Sequence, residues 1–277
     1  MYTHNLLPEG WPVEVHLYGV LIAVGILAAF AILIYYGRKL SVSEKMIDFV
    51  FFNGIASIAV GFGSAAVFQA FYDYLDHPER GFVISGRITF IGGLIGGVIC
   101  FLLVYLILRK KCGGTLSQVL SLVPCAILAG HGFGRLGCLF AGCCHGTYLG
   151  DAPVFGGLYM LGTDPETKRA LWGYFVPTQL YEALFLFALC ALCTWLLFRY
   201  KFKHNMSVYL VAYGIFRFLI EYLRADARGS LVGGVSPSQF WSIFMVLAGV
   251  ALYFWLEYFW KKYPSAFPEV KKDEANK

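Results

Sequence analysis

The residues with the clearest chemical potential lie in one short stretch, HGFGRLGCLFAGCCHG, at positions 131–146. It combines Arg135, His131 and His145 with cysteines and glycines, and it ends a long apolar run. An arginine in such a run is rare and usually functional. Guanidinium groups bind phosphate through a planar fork of donors, histidines transfer protons and thiolates are nucleophiles. The stretch therefore predicts anion binding, proton transfer or thiol chemistry.

The cysteines of this stretch, Cys138, Cys143 and Cys144, admit several interpretations. They can be small residues packed among glycines, a redox pair, a covalent nucleophile or, with His145, ligands of a soft metal ion. Their spacing differs from the Cys-x2-Cys pair of structural zinc sites. We therefore assign no metal ligand, and we expect no cofactor.

The composition is that of an integral membrane protein. Hydrophobic residues make up 58% of the chain and charged residues 14%, whereas soluble domains carry about 25% charged residues. We expect one membrane domain over residues 1–277. The net charge of +5 does not indicate a nucleic-acid partner, because the basic residues follow the membrane topology.

Apolar runs long enough to cross a bilayer of about 30 Å predict an all-α, polytopic fold. The expected transmembrane helices are near 17–36, 47–74, 88–108, 116–140, 178–198, 206–223 and 237–260. Basic clusters then fall in alternate loops and in the tail: Arg38, Lys39, Lys45; Arg109, Lys110, Lys111; Arg199, Lys201, Lys203; Lys261, Lys262, Lys271, Lys272 and Lys277. The positive-inside rule places these clusters in the cytoplasm. The prediction is N-out/C-in, with a long outer loop at about 147–177.

Candidate residues also lie outside the first stretch. Gly92, Gly93 and Gly96 open the third helix, either for close helix packing or for approach of a lipid headgroup. Glu182, one turn into the fifth helix, needs a partner in the membrane, and we expect an arginine from the outer half.

The sixth helix ends in charged residues. Arg217, Glu221 and Arg224 are spaced by four and three, so we expect them on one helical face. This pattern fits an internal salt-bridge ladder, and Arg224 can also point at a ligand. Tyr18, at the outer start of the first helix, fits the aromatic belt of a membrane protein.

Taken in order, these segments resemble the prolipoprotein diacylglyceryl transferases, seven-span enzymes of the bacterial plasma membrane. The resemblance is carried by Tyr18-Gly19, Gly92-Gly93-Leu94-Ile95-Gly96, Gly134-Arg135-Leu136-Gly137 through Gly146, Pro177-Thr178-Gln179-Leu180-Tyr181-Glu182 and Phe218-Leu219-Ile220-Glu221-Tyr222-Leu223-Arg224. The chain departs from the family pattern in five places, one of which is the absence of the usual second-span arginine near Gly61-Phe62-Gly63-Ser64-Ala65. Ile91 stands for a histidine, Cys138 and Ala141 for asparagines, and Cys143 for a glutamate.

The resemblance implies transfer of diacylglyceryl from phosphatidylglycerol to a lipobox cysteine of a prolipoprotein, with release of glycerol 1-phosphate. The implied partners are phosphatidylglycerol, membrane lipid and the prolipoprotein signal peptide or another thiol acceptor, with the active site towards the outer face of the bacterial plasma membrane. The implied catalytic residues are Arg135, Arg224, His131, His145 and Tyr18, and the implied substrate-binding residues are Gly92, Gly93, Gly96, Gly146, Glu182, Glu221, Cys138 and Cys143. The departures leave two alternatives open. One is a paralogue with another acceptor, and the other is a non-enzymatic lipid-binding or thiol-redox protein that uses the Cys138, Cys143, Cys144 and His145 cluster.

Overall fold

The structure, a computed structural model, describes residues 16–85, 89–164, 167, 169–224 and 235–262. The helices are α1 (Leu17–Lys39), α2 (Glu44–Asp76), α3 (Phe90–Leu108), α4 (Leu116–Phe140), α5 (Thr178–Tyr200), α6 (Asn205–Ile220) and α7 (Pro237–Lys262), with short 3-10 helices at Pro78–Arg80 and Glu221–Leu223. The strands are β1 (Tyr148–Gly150), β2 (Leu158–Thr163) and β3 (Ala170–Phe175).

All seven α-helices are long and apolar enough to cross a membrane. They overlap the seven predicted spans, so the prediction of an all-α, multi-pass membrane fold is confirmed. Large apolar side chains such as Leu27, Phe62 and Ile107 are 68%, 63% and 77% exposed. Lipid is as apolar as these side chains, so a membrane helix has no need to bury them. The tail residues Lys271, Lys272 and Lys277 lie outside the described residues.

The long loop before α5 contains a structured element that the sequence did not predict. Its strands form an antiparallel sheet in the order β1-β3-β2, with Leu158 opposite Phe175 and Thr163 opposite Ala170. Phe175 is fully buried and Met160 nearly so. The loop is therefore a folded element that leads directly into α5.

The chain divides into two compact units, and the prediction of one membrane domain stays a prediction. The first unit comprises Met1–Leu33 and Leu120–Glu269, and the second Ile34–Val119 and Val270–Lys277. In the first unit α1 approaches α4 closely, because a Cβ at Gly25 would lie 2.9 Å from the carbonyl oxygen of Gly130. Small residues permit such backbone contact between membrane helices.

The second unit is built on the contact between α2 and α3. Ser64 Oγ donates to the carbonyl of Gly92 at 2.8 Å. A Cβ at Gly92 would overlap Phe68, and one at Gly96 would overlap Ser64. A Cβ at Gly93 would lie 3.2 Å from the carbonyl oxygen of Gly61. These contacts support the helix-packing interpretation of the glycine segment.

Candidate active site

The centre of the candidate site is the carboxylate of Glu182 on α5, which is fully buried. Arg135 on α4 places its Nε 3.0 Å from Glu182 Oε1, and the Tyr213 hydroxyl of α6 donates to the same oxygen at 2.7 Å. A buried carboxylate needs charged or hydrogen-bonding partners. The prediction that an arginine would pair with Glu182 is confirmed.

His131 joins the same cluster one turn before Arg135. Its Nε2 lies 3.9 Å from Glu182 Oε1 and 3.5 Å from the Tyr213 hydroxyl. Because α4 is continuous through both positions, His131 and Arg135 share the helical face expected for this spacing. Their side chains keep 22% and 18% exposure. Both side chains therefore contact a buried carboxylate and are still accessible to a ligand at the protein surface.

A second charged network lies at the C-terminal end of α6. Arg217 donates from Nη1 to Glu221 Oε2 at 2.7 Å and from Nη2 to Ser238 Oγ at 2.8 Å. Ser236 donates to Glu221 Oε1 at 2.9 Å. The Arg217 and Glu221 side chains are each 9% exposed. The predicted salt bridge between them is present, and its additional partners are Ser238 in the first turn of α7 and Ser236 just before that helix.

Arg224 does not share a helical face with Arg217 and Glu221, so that expectation was wrong. The α-helix ends at Ile220, a 3-10 turn follows, and Arg224 has extended backbone angles. The reason is a tertiary contact, because Arg224 forms an antiparallel bridge with Gly146. Its side chain is only 2% exposed, with Nε 3.9 Å from Glu221 Oε2.

Gly146 is the point where three segments meet. Its N–H donates to the Val176 carbonyl at 2.8 Å, and the next amide, Thr147, donates to the Leu223 carbonyl at 3.1 Å. A Cβ at position 146 would overlap the carbonyl oxygen of Leu223 and lie 2.8 Å from Val176 Cβ. Only glycine fits this junction, so its role in the structure is to connect the segments before α5 and after α6.

His145 is buried, with 8% exposure, although it lies beyond the end of α4. Its Nε2 accepts from the Thr163 amide at 2.8 Å, and its Nδ1 lies 2.9 Å from the Gly146 carbonyl oxygen. Its ring packs on Phe175 at 4.5 Å between centroids. Both nitrogens thus bond backbone groups, an arrangement that connects the stretch to the sheet and leaves His131 as the better candidate base.

The three cysteines form one compact group. Their Sγ atoms all lie within 4.8 Å of one another. The segment after α4 folds back because Gly142 and Cys144 adopt left-handed backbone angles, with φ of 62° and 64°. Such a conformation is uncommon for a non-glycine residue and persists only where surrounding contacts enforce it.

Two buried side chains of α5 provide those contacts. Gln179 Nε2 donates to the Cys143 carbonyl at 2.6 Å, and Thr178 Oγ1 donates to the Cys144 carbonyl at 2.8 Å. Both side chains are fully buried. Thr178 is the first residue of α5 and follows the N-cap residue Pro177. Its hydroxyl bonds the segment that contains Cys143 and Cys144, which we call the cysteine loop.

The electrostatic surroundings of Cys143 and Cys144 differ. The pKa of the Cys144 thiol is well below its ordinary value, because hydrogen bonds with the Cys138 and Cys143 thiols and the adjacent Arg224 guanidinium stabilise its thiolate. The pKa of the Cys143 thiol is raised, first by its hydrogen bonds with Cys138 and Cys144 and then by burial. Cys144 is therefore the cysteine of the group whose thiol most readily loses its proton.

Tyr18 belongs to the same region of the first unit. Its ring and carbonyl oxygen lie 3.2 and 3.3 Å from the position that a Cβ on Gly137 would take. It is within electrostatic range of Arg135 and of the three cysteines. By contrast, Gly92, Gly93 and Gly96 belong to the second unit, where they contact α2.

Tyr213, Gln179 and Ser238 are site residues that the sequence did not single out. Tyr213 lies four residues before Arg217, and Gln179 three residues before Glu182. Helical spacing from the charged residues was therefore an available signal, because positions three or four apart share a face. Ser238 carried no such signal, since its contact with Arg217 links α6 and α7.

Seven membrane-crossing helices, with a partly exposed arginine and histidine at a buried carboxylate, define a multi-pass membrane enzyme. The family model described as prolipoprotein diacylglyceryl transferase matches residues 7–255, and the chain belongs to this family.

Similar proteins cover almost the whole chain. A phosphatidylglycerol–prolipoprotein diacylglyceryl transferase of Clostridium tetani is 33% identical over 258 residues, which is 90% of this chain and 96% of the relative. Transferase 2 of Clostridium perfringens is 32% identical, with 90% and 93% coverage. The Staphylococcus carnosus transferase is 27% identical, with 94% and 92% coverage.

Proposed function

We propose that this protein transfers the diacylglyceryl group of phosphatidylglycerol to the thiol of a prolipoprotein cysteine. Its relatives of similar length carry the name of this activity. In the reaction the acceptor sulfur forms a bond to the glyceryl carbon, the bond from that carbon to the phosphate oxygen breaks, and glycerol 1-phosphate leaves. The thiol proton passes to a base.

The observation that carries the proposal is the position of Arg135 at Glu182. The ion pair engages Nε, and a guanidinium has further N–H donors on its two Nη atoms. We assign these Nη donors to the phosphate, where negative charge increases as the leaving group departs. Glu182 fixes the guanidinium in position, so that the ligand meets a preorganised fork.

We assign the role of base to His131. A base must lie within reach of the proton that it accepts, and His131 is the partly exposed histidine at the Arg135 cluster. Tyr213 and Glu182 hold its ring at the phosphate-binding arginine. His145 and Gly146 stabilise the fold of the segment after α4 through their backbone contacts. Tyr18 lies beside the site.

Arg224 contributes a second positive charge, next to Cys144. It is nearly fully buried and lies beside Glu221 and Cys144. We infer that it positions the cysteine loop and adds to the positive potential that attracts the lipid headgroup. Glu221 holds both Arg217 and Arg224, and its role is therefore to orient these cations.

The proposed membrane orientation is N-out/C-in, in the bacterial plasma membrane. The odd-numbered helices α1, α5 and α7 end in basic residues, as expected when they end on the cytoplasmic side. Residues 131–146, which we call the signature stretch, and the sheet then lie on the outer side of the membrane. Secreted preproteins present their lipobox cysteine on that side. A green fluorescent protein fused after Lys277 should fluoresce, and alkaline phosphatase there should be inactive. The opposite pattern would contradict this orientation.

The function is tested by complementation and by product analysis. The gene should restore growth of a bacterium depleted of its own diacylglyceryl transferase. Purified protein should release glycerol phosphate from phosphatidylglycerol when a lipobox peptide is present, with the diacylglyceryl mass added to the peptide cysteine. Failure of both experiments with well-folded protein would exclude this acceptor. A peptide with serine in place of the lipobox cysteine is the matched control.

A further inference from the structure

The feature that the proposed reaction does not use is the convergence of three sulfur atoms. Cys138 lies in the last turn of α4, while Cys143 and Cys144 follow the turn at Gly142. Their Sγ atoms lie within 4.8 Å of one another. All eight cysteines of the chain are among the described residues, and none forms a disulfide.

The backbone of this group is held from several sides, independently of the sulfurs. The Cys143 amide donates to the Cys138 carbonyl at 3.2 Å, and Gln179 and Thr178 donate to the carbonyls of Cys143 and Cys144. Hydrogen bonds from fully buried side chains fix a loop in one conformation. The sulfurs are therefore brought together by the fold rather than by chance on a flexible loop.

The charges nearby favour an anionic centre. Cys144 lies beside the guanidinium of Arg224, whose side chain is 2% exposed, and Cys138 and Cys144 lie within electrostatic range of Arg135. Three thiolates around Cu⁺ or Zn²⁺ carry a net negative charge. A buried anion needs a compensating cation, and these arginines provide one.

We propose that Cys138, Cys143 and Cys144 bind one thiophilic metal ion through three thiolate sulfurs. Thiolates select Cu⁺ and Zn²⁺ among the available metals. Cu⁺ suits the trigonal set directly, whereas Zn²⁺ favours four ligands and would add a water molecule. His145 is not a ligand in this proposal, because Thr163 and Gly146 engage both of its nitrogens. The ion clamps the loop between Arg135 and Gly146.

The test uses the full-length protein in detergent, reduced, stripped of metal with a chelator and kept anaerobic. It is titrated separately with Cu⁺ and with Zn²⁺, desalted, and its bound metal is counted by mass spectrometry. We expect one equivalent of at least one ion. Cys138→Ser, Cys143→Ser and Cys144→Ser should each weaken metal binding by more than about tenfold, because changing a group that only hydrogen-bonds a metal ligand already costs about 10-fold or more. Cys112→Ser and Cys190→Ser are the matched controls.

A second measurement keeps the proposal falsifiable if a serine variant fails to fold. In the unsubstituted protein, bound metal should protect Cys138, Cys143 and Cys144 from alkylation and leave Cys100 unchanged. The proposal is overturned if the reduced protein binds no metal, if binding persists in all three variants, or if alkylation at these cysteines is unchanged by metal. None of these outcomes bears on diacylglyceryl transfer, which is measured separately.

Discussion

Arg135 on α4 and Glu182 on α5 form an ion pair of 3.0 Å, in which the carboxylate is fully buried and the arginine keeps 18% exposure. The pair connects two of the family's sequence motifs, the one that contains Arg135 and the one that ends at Glu182. It fixes an arginine that is still partly exposed at the protein surface. A binding site for an anionic lipid requires a positive charge that is both fixed and accessible. We therefore expect stability and activity to depend on the same contact.

Replacing Glu182 with alanine should destabilise the protein. Arg135 would lose the partner that compensates its burial, and breaking a buried ion pair costs about 3–5 kcal/mol. Glu44→Ala is the matched control, because Glu44 pairs with Arg38 at the surface with 61% and 63% side-chain exposure, where such pairs contribute about 0–1 kcal/mol. Thermal unfolding in detergent measures both. Equal melting temperatures for the two variants would contradict the role of Glu182 as the buried partner of Arg135.

Tyr213→Phe tests the hydrogen bond to Glu182 without a change of ring size. Removing the donor should destabilise the fold by about 1.5–3 kcal/mol, the contribution of a hydrogen bond to a charged group, and should lower kcat by loosening His131 and Arg135. Tyr209→Phe is the control, because its ring stacks on Tyr213 and its hydroxyl makes no hydrogen bond to the described residues. A Tyr213→Phe enzyme with unchanged kcat and unfolding would show that the hydroxyl is dispensable.

Gly146→Ala should disrupt the junction between the signature stretch, β3 and the end of α6. The added Cβ would overlap the Leu223 carbonyl oxygen, and a forced fit of this kind costs about 1–3 kcal/mol. At Gly63 a Cβ meets no atom within 4 Å, so Gly63→Ala should be tolerated. Limited proteolysis of the loop measures the difference. Equal protection of the two variants would argue against a tight junction at Gly146.

The pKa values of the cysteine loop predict an order of reactivity. The lowered pKa of Cys144 means that its thiolate persists as the pH falls, whereas the raised pKa of Cys143 keeps that residue protonated to higher pH. In reduced, metal-free protein, iodoacetamide should therefore label Cys144 at lower pH than Cys143, because thiolate is the reactive form. Tandem mass spectrometry over a pH series separates the adjacent sites. Labelling in the reverse order would contradict a thiolate centred on Cys144.

The membrane helices and part of the site were predictable because their signals are local. Apolar runs defined the spans, and the cost of a lone Glu182 in the membrane predicted an arginine partner. Spacing by four placed His131 and Arg135 on one face, since α4 has no interruption there.

The remaining features depend on contacts between distant segments. The helical spacing of Arg224 was overridden by its bridge to Gly146, and His145 was buried by its contacts with Thr163 and Phe175. The sheet before α5 has short strands whose alternation of apolar and polar residues is weak in the sequence. Nothing local indicates that Thr178 bonds the cysteine loop rather than its own helix.

The central claim is that Arg135 binds the phosphate of phosphatidylglycerol, and the release of glycerol 1-phosphate in the presence of a lipobox peptide tests it most directly. Arg135→Lys keeps a charge for Glu182 but loses the planar fork. The double variant Arg135→Met with Glu182→Gln removes both charges, a change that buried ion pairs often tolerate. Arg38→Ala is the control.

We predict that both Arg135 variants remain folded and lose at least about 10²-fold in kcat, as when a single transition-state donor is removed, while Arg38→Ala keeps the parental rate. Parental release of glycerol 1-phosphate by the folded double variant would contradict the assignment of Arg135.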